Sequence, residues 1–170
     1  MIGAIAGDMI GSIYEHRPLK EMDFPLFRSA SRFTDDSVMS LAVARALLED
    51  GEYGREMKIL GRKYPRAGYG GNFSRWIFED EVNPYQSWGN GSAMRVSPIG
   101  FFYETEQEVL REAKASAAVS HDHPEGIKGA QSVALAIFLA RQGTSKEDIR
   151  TMIKADFGYD LDRTVEDIRP

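Results

Sequence analysis

Ile2-Gly3-Ala4-Ile5-Ala6-Gly7-Asp8-Met9-Ile10-Gly11-Ser12-Ile13 sets apolar residues at positions 2, 5, 6, 9, 10 and 13, the spacing of one face of an α-helix. Gly3, Gly7 and Gly11 fall four apart on the same segment and form a smooth ridge. A helical glycine costs roughly 1 kcal/mol against alanine, so three of them predict that a helix or a ligand comes close along that ridge. Asp8, Ser12 and Glu15 share a polar edge beside the apolar stripe. Glu15 stands at the helix end, ahead of His16-Arg17-Pro18. That sequence predicts a mobile turn, from which a carboxylate can act as general base or position a water.

The helical period continues outward from this segment. A second helix is predicted over 35–48, ending at Gly51, with shorter ones over 56–63 and 73–79. Thr105-Glu106-Gln107-Glu108 reads as a capping box opening a helix toward Val119. Pro124 suits the first turn of a long helix ending at Gly143, and a further helix starts at 145–148 and stops at Gly158. No alternating pattern predicts a strand. The expectation is an all-α, compact multi-helix domain over 1–170. Two glycine-rich loops, Gly68-Tyr69-Gly70-Gly71-Asn72 and Trp88-Gly89-Asn90-Gly91-Ser92, each run into predicted helix.

Composition narrows the chemistry. Hydrophobic residues at 42% and charged ones at 28% suit a globular domain with a core rather than a disordered chain. The absence of cysteine excludes disulfides, thiolate metal sites and thiol nucleophiles. The longest apolar run, 133–140, is too short to span a bilayer. No basic region precedes the first apolar stretch, so no signal peptide is expected and the cytoplasm is the expected location. A net charge of −5 without a basic run argues against a nucleic-acid-coating surface. An anionic ligand then calls for a metal cation to offset the local charge.

Thr34-Asp35-Asp36-Ser37 offers hard oxygen donors suited to Mg²⁺ or Mn²⁺. Threonine at an N-cap with aspartate in the first turn is equally ordinary helix-start chemistry, and both readings stand. Gly89-Asn90-Gly91-Ser92-Ala93-Met94-Arg95 places glycines ahead of a predicted helix start, where exposed N–H groups favour a phosphate or pyrophosphate; a plain turn is the alternative. Arg95 either neutralises that phosphate or forms a structural ion pair. His121-Asp122-His123 has the alternation of a zinc site, but capping of the helix at Pro124 by Asp122 or His123 is the simpler account.

As a set, residues 7–12, Tyr14-Glu15, Phe33-Thr34-Asp35-Asp36-Ser37-Val38-Met39, residues 89–95 and residues 120–124 resemble the ADP-ribosylglycohydrolase family over essentially the whole chain. The resemblance implies an all-α hydrolase that cleaves the glycosidic bond between ADP-ribose and a protein side chain or small acceptor, using a pair of Mg²⁺ or Mn²⁺ ions. It implies Thr34, Asp35 and Asp36 as metal ligands and Glu15, with Asp36, as the group acting at the scissile bond. Gly89, Asn90 and Gly91 become the loop around the diphosphate and distal ribose. Ser87 and Trp88 become substrate contacts, His121 a histidine near the ligand, and residues 70–73 a further cleft wall.

The family's second metal motif, a glycine pair followed by Asp-Thr-Asp-Thr, is not found. Asp160-Leu161-Asp162-Arg163-Thr164 lacks its glycines and carries an extra residue before threonine. A full-length relative is expected to continue past Pro170. An apolar surface is then expected to lie uncovered around the glycine ridge, to be closed by a complementing C-terminal chain or by another copy in a homo-oligomer. A catalytically inactive ADP-ribose-binding or assembly protein is the alternative. Prenyl-diphosphate enzymes also use aspartate-rich motifs, but Val38-Met39 occupies the stretch where they need a further aspartate.

Overall fold

The computed structural model describes residues 1–15, 19, 21, 23–81 and 83–168. Helices start where the sequence supplies a cap. Thr34, in extended backbone, accepts from the Asp36 amide at 3.4 Å and opens α2 (Asp35–Leu48), with Asp35 and Asp36 at its positive end. Thr105 accepts from the Glu108 amide at 3.3 Å at the head of α6 (Glu106–Ala118). Pro124 occupies the first position of α7 (Pro124–Arg141), and His123 Nδ1 accepts from the Glu125 amide at 3.1 Å. Ser145 caps α8 (Lys146–Phe157) through the Asp148 amide at 3.1 Å, and Gly158 ends it in the left-handed region at φ +66°.

The remaining elements are α1 (Ile2–Gly11), α3 (Tyr53–Lys63), α4 (Gly71–Phe78), a 3₁₀ turn at Asn90–Ser92, α5 (Ser97–Phe102) and α9 (Val165–Ile168). Among the described residues no strand forms, as the periodicity requires. The long helix α7 is the hub: α5, α6, α8 and the 3₁₀ turn pack around it, while α2 joins α3 and α5 and α3 carries α4. Met39, Val43, Met57, Trp76, Ile77, Ile99, Val109 and Leu135 are buried between them. Gly100 lets α5 lie against α7, since a Cβ there would stand 2.7 Å from the Ala134 carbonyl oxygen. The buried Lys58 ammonium donates to the carbonyls of Trp76, Glu79 and Glu81 at 2.7, 2.6 and 2.9 Å and closes the C-terminal end of α4.

Among the described residues the glycine ridge of α1 is approached by no other helix, so it lies uncovered, as expected where the second metal motif is not found: beyond the helix's own backbone no heavy atom lies within 4 Å of a Cβ at Gly3, Gly7 or Gly11. None of α1's ten residues is buried, and Ile2 is 85% exposed. Several expectations change. The helix stops at Gly11, and the Ser12 hydroxyl turns back to donate to the Met9 carbonyl at 2.9 Å. The turn predicted at His16-Arg17-Pro18 lies outside the described residues. The 88–92 loop enters a single 3₁₀ turn, not an α-helix, and α5 follows unannounced because six residues are too few to show a period. Asp162 is engaged by Arg150 at 2.7 Å and by Lys154, so the 160–164 segment is held by surface ion pairs. Among the described residues no helix is long and apolar enough to cross a membrane.

Candidate functional site

Asp8 links the first two helices. Its Oδ2 accepts from the Thr34 amide at 2.8 Å, the Ser37 amide at 3.2 Å and the Ser37 hydroxyl. Thr34 Oγ1 is 2.5 Å from Asp8 Oδ1 and 3.2 Å from Asp36 Oδ2, so its single proton is shared between two carboxylates. Glu15, on the turn after α1, completes the group. Asp8, Glu15 and Asp36 each present an oxygen within 4.8 Å of the others. They border a cleft of about 300 Å³ with Gly7, Gly11, Ser40 and Met94. Among the described residues no lysine or arginine pairs with these carboxylates; the ion pairs lie elsewhere.

That uncompensated charge shows in Asp35, whose carboxyl is pushed up to about 6, first by burial and then by Asp36, with smaller contributions from Glu15 and Asp8. Asp36 is also raised, by burial and by Asp8, against the opposing Thr34 hydrogen bond. The two neighbours face different spaces. Asp36 looks into the cleft with Asp8, and Asp35 into a second cavity of about 290 Å³. Met94 borders both.

The second cavity is walled by the start of α4 at Gly70–Phe73, by Tyr85, Ser87 and Gly89–Gly91, and by Arg95 and His121. Arg95 is fully buried. Its Nη2 donates to the Ser116 carbonyl at 2.7 Å and to Ser120 Oγ at 3.1 Å, and its guanidinium lies 5.8 Å from the Phe73 ring centroid. Nε and Nη1 have no partner. Burial lowers its pKa to about 10, opposed only by Tyr85. Among the described residues no carboxylate pairs with Arg95, so the structural ion pair considered for it is not formed there and an uncompensated cation stands in the cavity wall.

His121 is buried beside it, with Nδ1 2.8 Å from Ser120 Oγ. Burial and then Arg95 push its pKa down to about 4, so the ring is neutral at pH 7. Its Nε2 stands 2.8 Å from where a Cβ on Gly91 would be, so a side chain at position 91 would have to displace the His121 ring. His123 caps α7 and Asp122 reaches Gln86, so the His-Asp-His run spreads its side chains over three tasks; capping by His123 is what the structure bears out.

Of the residues singled out from sequence, the structure gathers Glu15 and Asp36 at one cleft and Asp35, Ser87, Gly89, Asn90, Gly91 and His121 at the adjoining cavity. Thr34 is buried, with its hydroxyl engaged by Asp8. Trp88 is 74% exposed and stands outside the cavity lining. Asp8 was visible on the polar edge it shares with Glu15, but nothing in the sequence tied it to the Thr34 turn. Tyr85 carried no sequence signal, and Met94 fell within the 89–95 motif without a role of its own.

The sequence matches the family described as ADP-ribosylglycohydrolase over residues 1–168. Proteins named ADP-ribosylhydrolase ARH3 from Bos taurus and Homo sapiens are each 29% identical, over 87% of this chain and 50% of their own length. That of Gallus gallus is 31% identical, over 84% of this chain and 49% of its own. The chain thus spans about half the length of the curated relatives it matches.

Proposed function

The chain belongs to the ADP-ribosylglycohydrolase family, and from that premise we propose that it forms the ADP-ribose-binding side and one metal-ligand side of a hydrolase. That hydrolase cleaves the glycosidic bond between ADP-ribose and a protein side chain or small acceptor. One observation carries the reading: among the described residues Asp8, Glu15 and Asp36 converge without a lysine or arginine paired to them, and Met94 borders both their cleft and a cavity that a glycine loop and a buried, unneutralised Arg95 make hospitable to an anion. Each space alone is at the small end for a ligand site, and two flanking one side chain suit a long ligand.

The donor set fits a hard divalent ion, because every donor is a carboxylate oxygen and none is sulfur. Bound by Asp8, Glu15 and Asp36, Mg²⁺ or Mn²⁺ would supply charge to orient ribose hydroxyls and water. The chain's own residues do the rest. Backbone amides of Gly89–Gly91, with Arg95 behind them, hold the diphosphate. Glu15 takes a proton from the attacking water. The carboxylates stabilise positive character at C1 of the ribose as the leaving group departs. Neutral His121 fixes the loop and adds no charge. The open glycine ridge of α1 receives the segment that completes the site.

Incubation with an ADP-ribosylated protein and Mg²⁺, followed by measurement of free ADP-ribose, tests the hydrolase reading. Release that disappears in Glu15→Gln while ADP-ribose is still bound supports it. Binding without release, also after the completing chain is supplied, identifies an inactive ADP-ribose-binding protein instead.

A further inference from the structure

Gln86 is, among the described residues, the non-glycine with positive φ, at +54°. A side chain in that region is uncommon and strained, so something must hold it there. The holder is Asp122. Its Oδ1 accepts from the Gln86 amide at 2.7 Å, and its Oδ2 accepts from Gln86 Nε2 at 2.5 Å. One carboxylate therefore clamps both the backbone and the side chain of a residue 36 positions away.

Neighbouring contacts extend the clamp. The Tyr85 amide reaches the Ser120 carbonyl at 3.4 Å, and Ser92 Oγ donates to the Gly126 carbonyl at 2.7 Å. A Cβ on Gly126 would stand 2.7 Å from the Ser87 carbonyl, so the two backbones touch. His121 abuts Gly91 from the same segment. The loop is thus braced along its length by residues 120–126, the lead-in and first turn of α7.

We infer that Asp122 is a positioning residue. It latches Gln86 in the left-handed conformation and so turns Ser87 and Gly89–Gly91 toward the cavity. Only the identity of what the loop binds rests on the functional reading above. A bystander carboxylate would leave the loop unmoved when removed.

Hydrogen exchange of amides 87–91, together with ADP-ribose affinity in Mg²⁺, decides it for the full chain, Asp122→Ala and the double variant Asp122→Ala/Gln86→Gly. Glycine takes φ +54° without strain, so it replaces what the clamp does. Asp122→Ala is expected to speed exchange at these amides about ten-fold while α7 stays protected, and to weaken ADP-ribose binding by a similar factor. The added Gln86→Gly restores both. Unchanged loop exchange in Asp122→Ala, or no recovery with glycine, overturns the inference. If the unaltered chain does not bind ADP-ribose, the functional reading fails and the exchange data still judge the latch.

Discussion

Thr34 Oγ1 lies 2.5 Å from Asp8 Oδ1 while the Thr34 amide lies 2.8 Å from Asp8 Oδ2, so one carboxylate on α1 closes the N-terminus of α2. The threonine-aspartate turn is thereby both a helix cap and part of the carboxylate cluster, and the two readings open at the sequence level are not exclusive. Asp8→Ala strands the Thr34 and Ser37 amides. It should cost about 1–3 kcal/mol in urea unfolding. A loss within error of zero would mean that water replaces the carboxylate freely.

Acid and base act on this site in opposite senses. The folded-state pKa of Asp35, about 6, lies above its ordinary 3.8, so its contribution to stability is full below 3.8 and is lost as pH rises through about 6. That of His121, about 4, lies below 6.5, so its contribution is full above 6.5 and is lost as pH falls through about 4. From pH 7 to 5, Asp35→Asn should therefore lose more stability than the unaltered chain, and His121→Asn less. Equal pH dependence in all three would contradict both shifts. Divalent-ion affinity should fall as the pH drops, because protons compete for the raised Asp36 carboxylate.

Arg95 is a buried cation with no carboxylate beside it, a costly arrangement for the empty fold and a useful one for an anion. Arg95→Met should leave unfolding stability within about 2 kcal/mol, because the gain from removing an unpaired charge offsets the stranded Ser116 carbonyl. ADP-ribose affinity should fall about ten-fold or more, read by calorimetry. Full affinity in a folded variant would show that the guanidinium serves the core alone.

Gly7 tests the ridge. A Cβ there meets nothing within 4 Å, so Gly7→Ala should raise stability by up to about 1 kcal/mol through helix propensity. Gly7→Leu should melt no lower than the unaltered chain. A drop of several degrees would mean that the ridge is already covered.

The sequence made α2, α6, α7 and α8 legible because their starts are local: Thr34, Thr105, Pro124 and Ser145 mark them within a residue. It missed α5, whose packing depends on Gly100 meeting α7. The adjacent aspartates 35 and 36 and the glycine loop stood out as dense local strings. What did not stand out was tertiary. Asp8 gains its partners from a turn 26 residues on. Arg95 lacks a counterion among the described residues because α6 offers it the Ser116 carbonyl and the turn after α6 the Ser120 hydroxyl instead. The α1 glycines illustrate the limit of spacing, which tells which residues share a face but not what covers it.

Calorimetric titration of ADP-ribose into the chain, with and without Mg²⁺, tests most directly whether the carboxylate cluster and the loop cavity form one site. We predict binding that Mg²⁺ strengthens in the unaltered chain and a loss of that Mg²⁺ effect in Asp36→Ala. Binding indifferent to Mg²⁺, or an Mg²⁺ effect that survives in Asp36→Ala, would contradict the account.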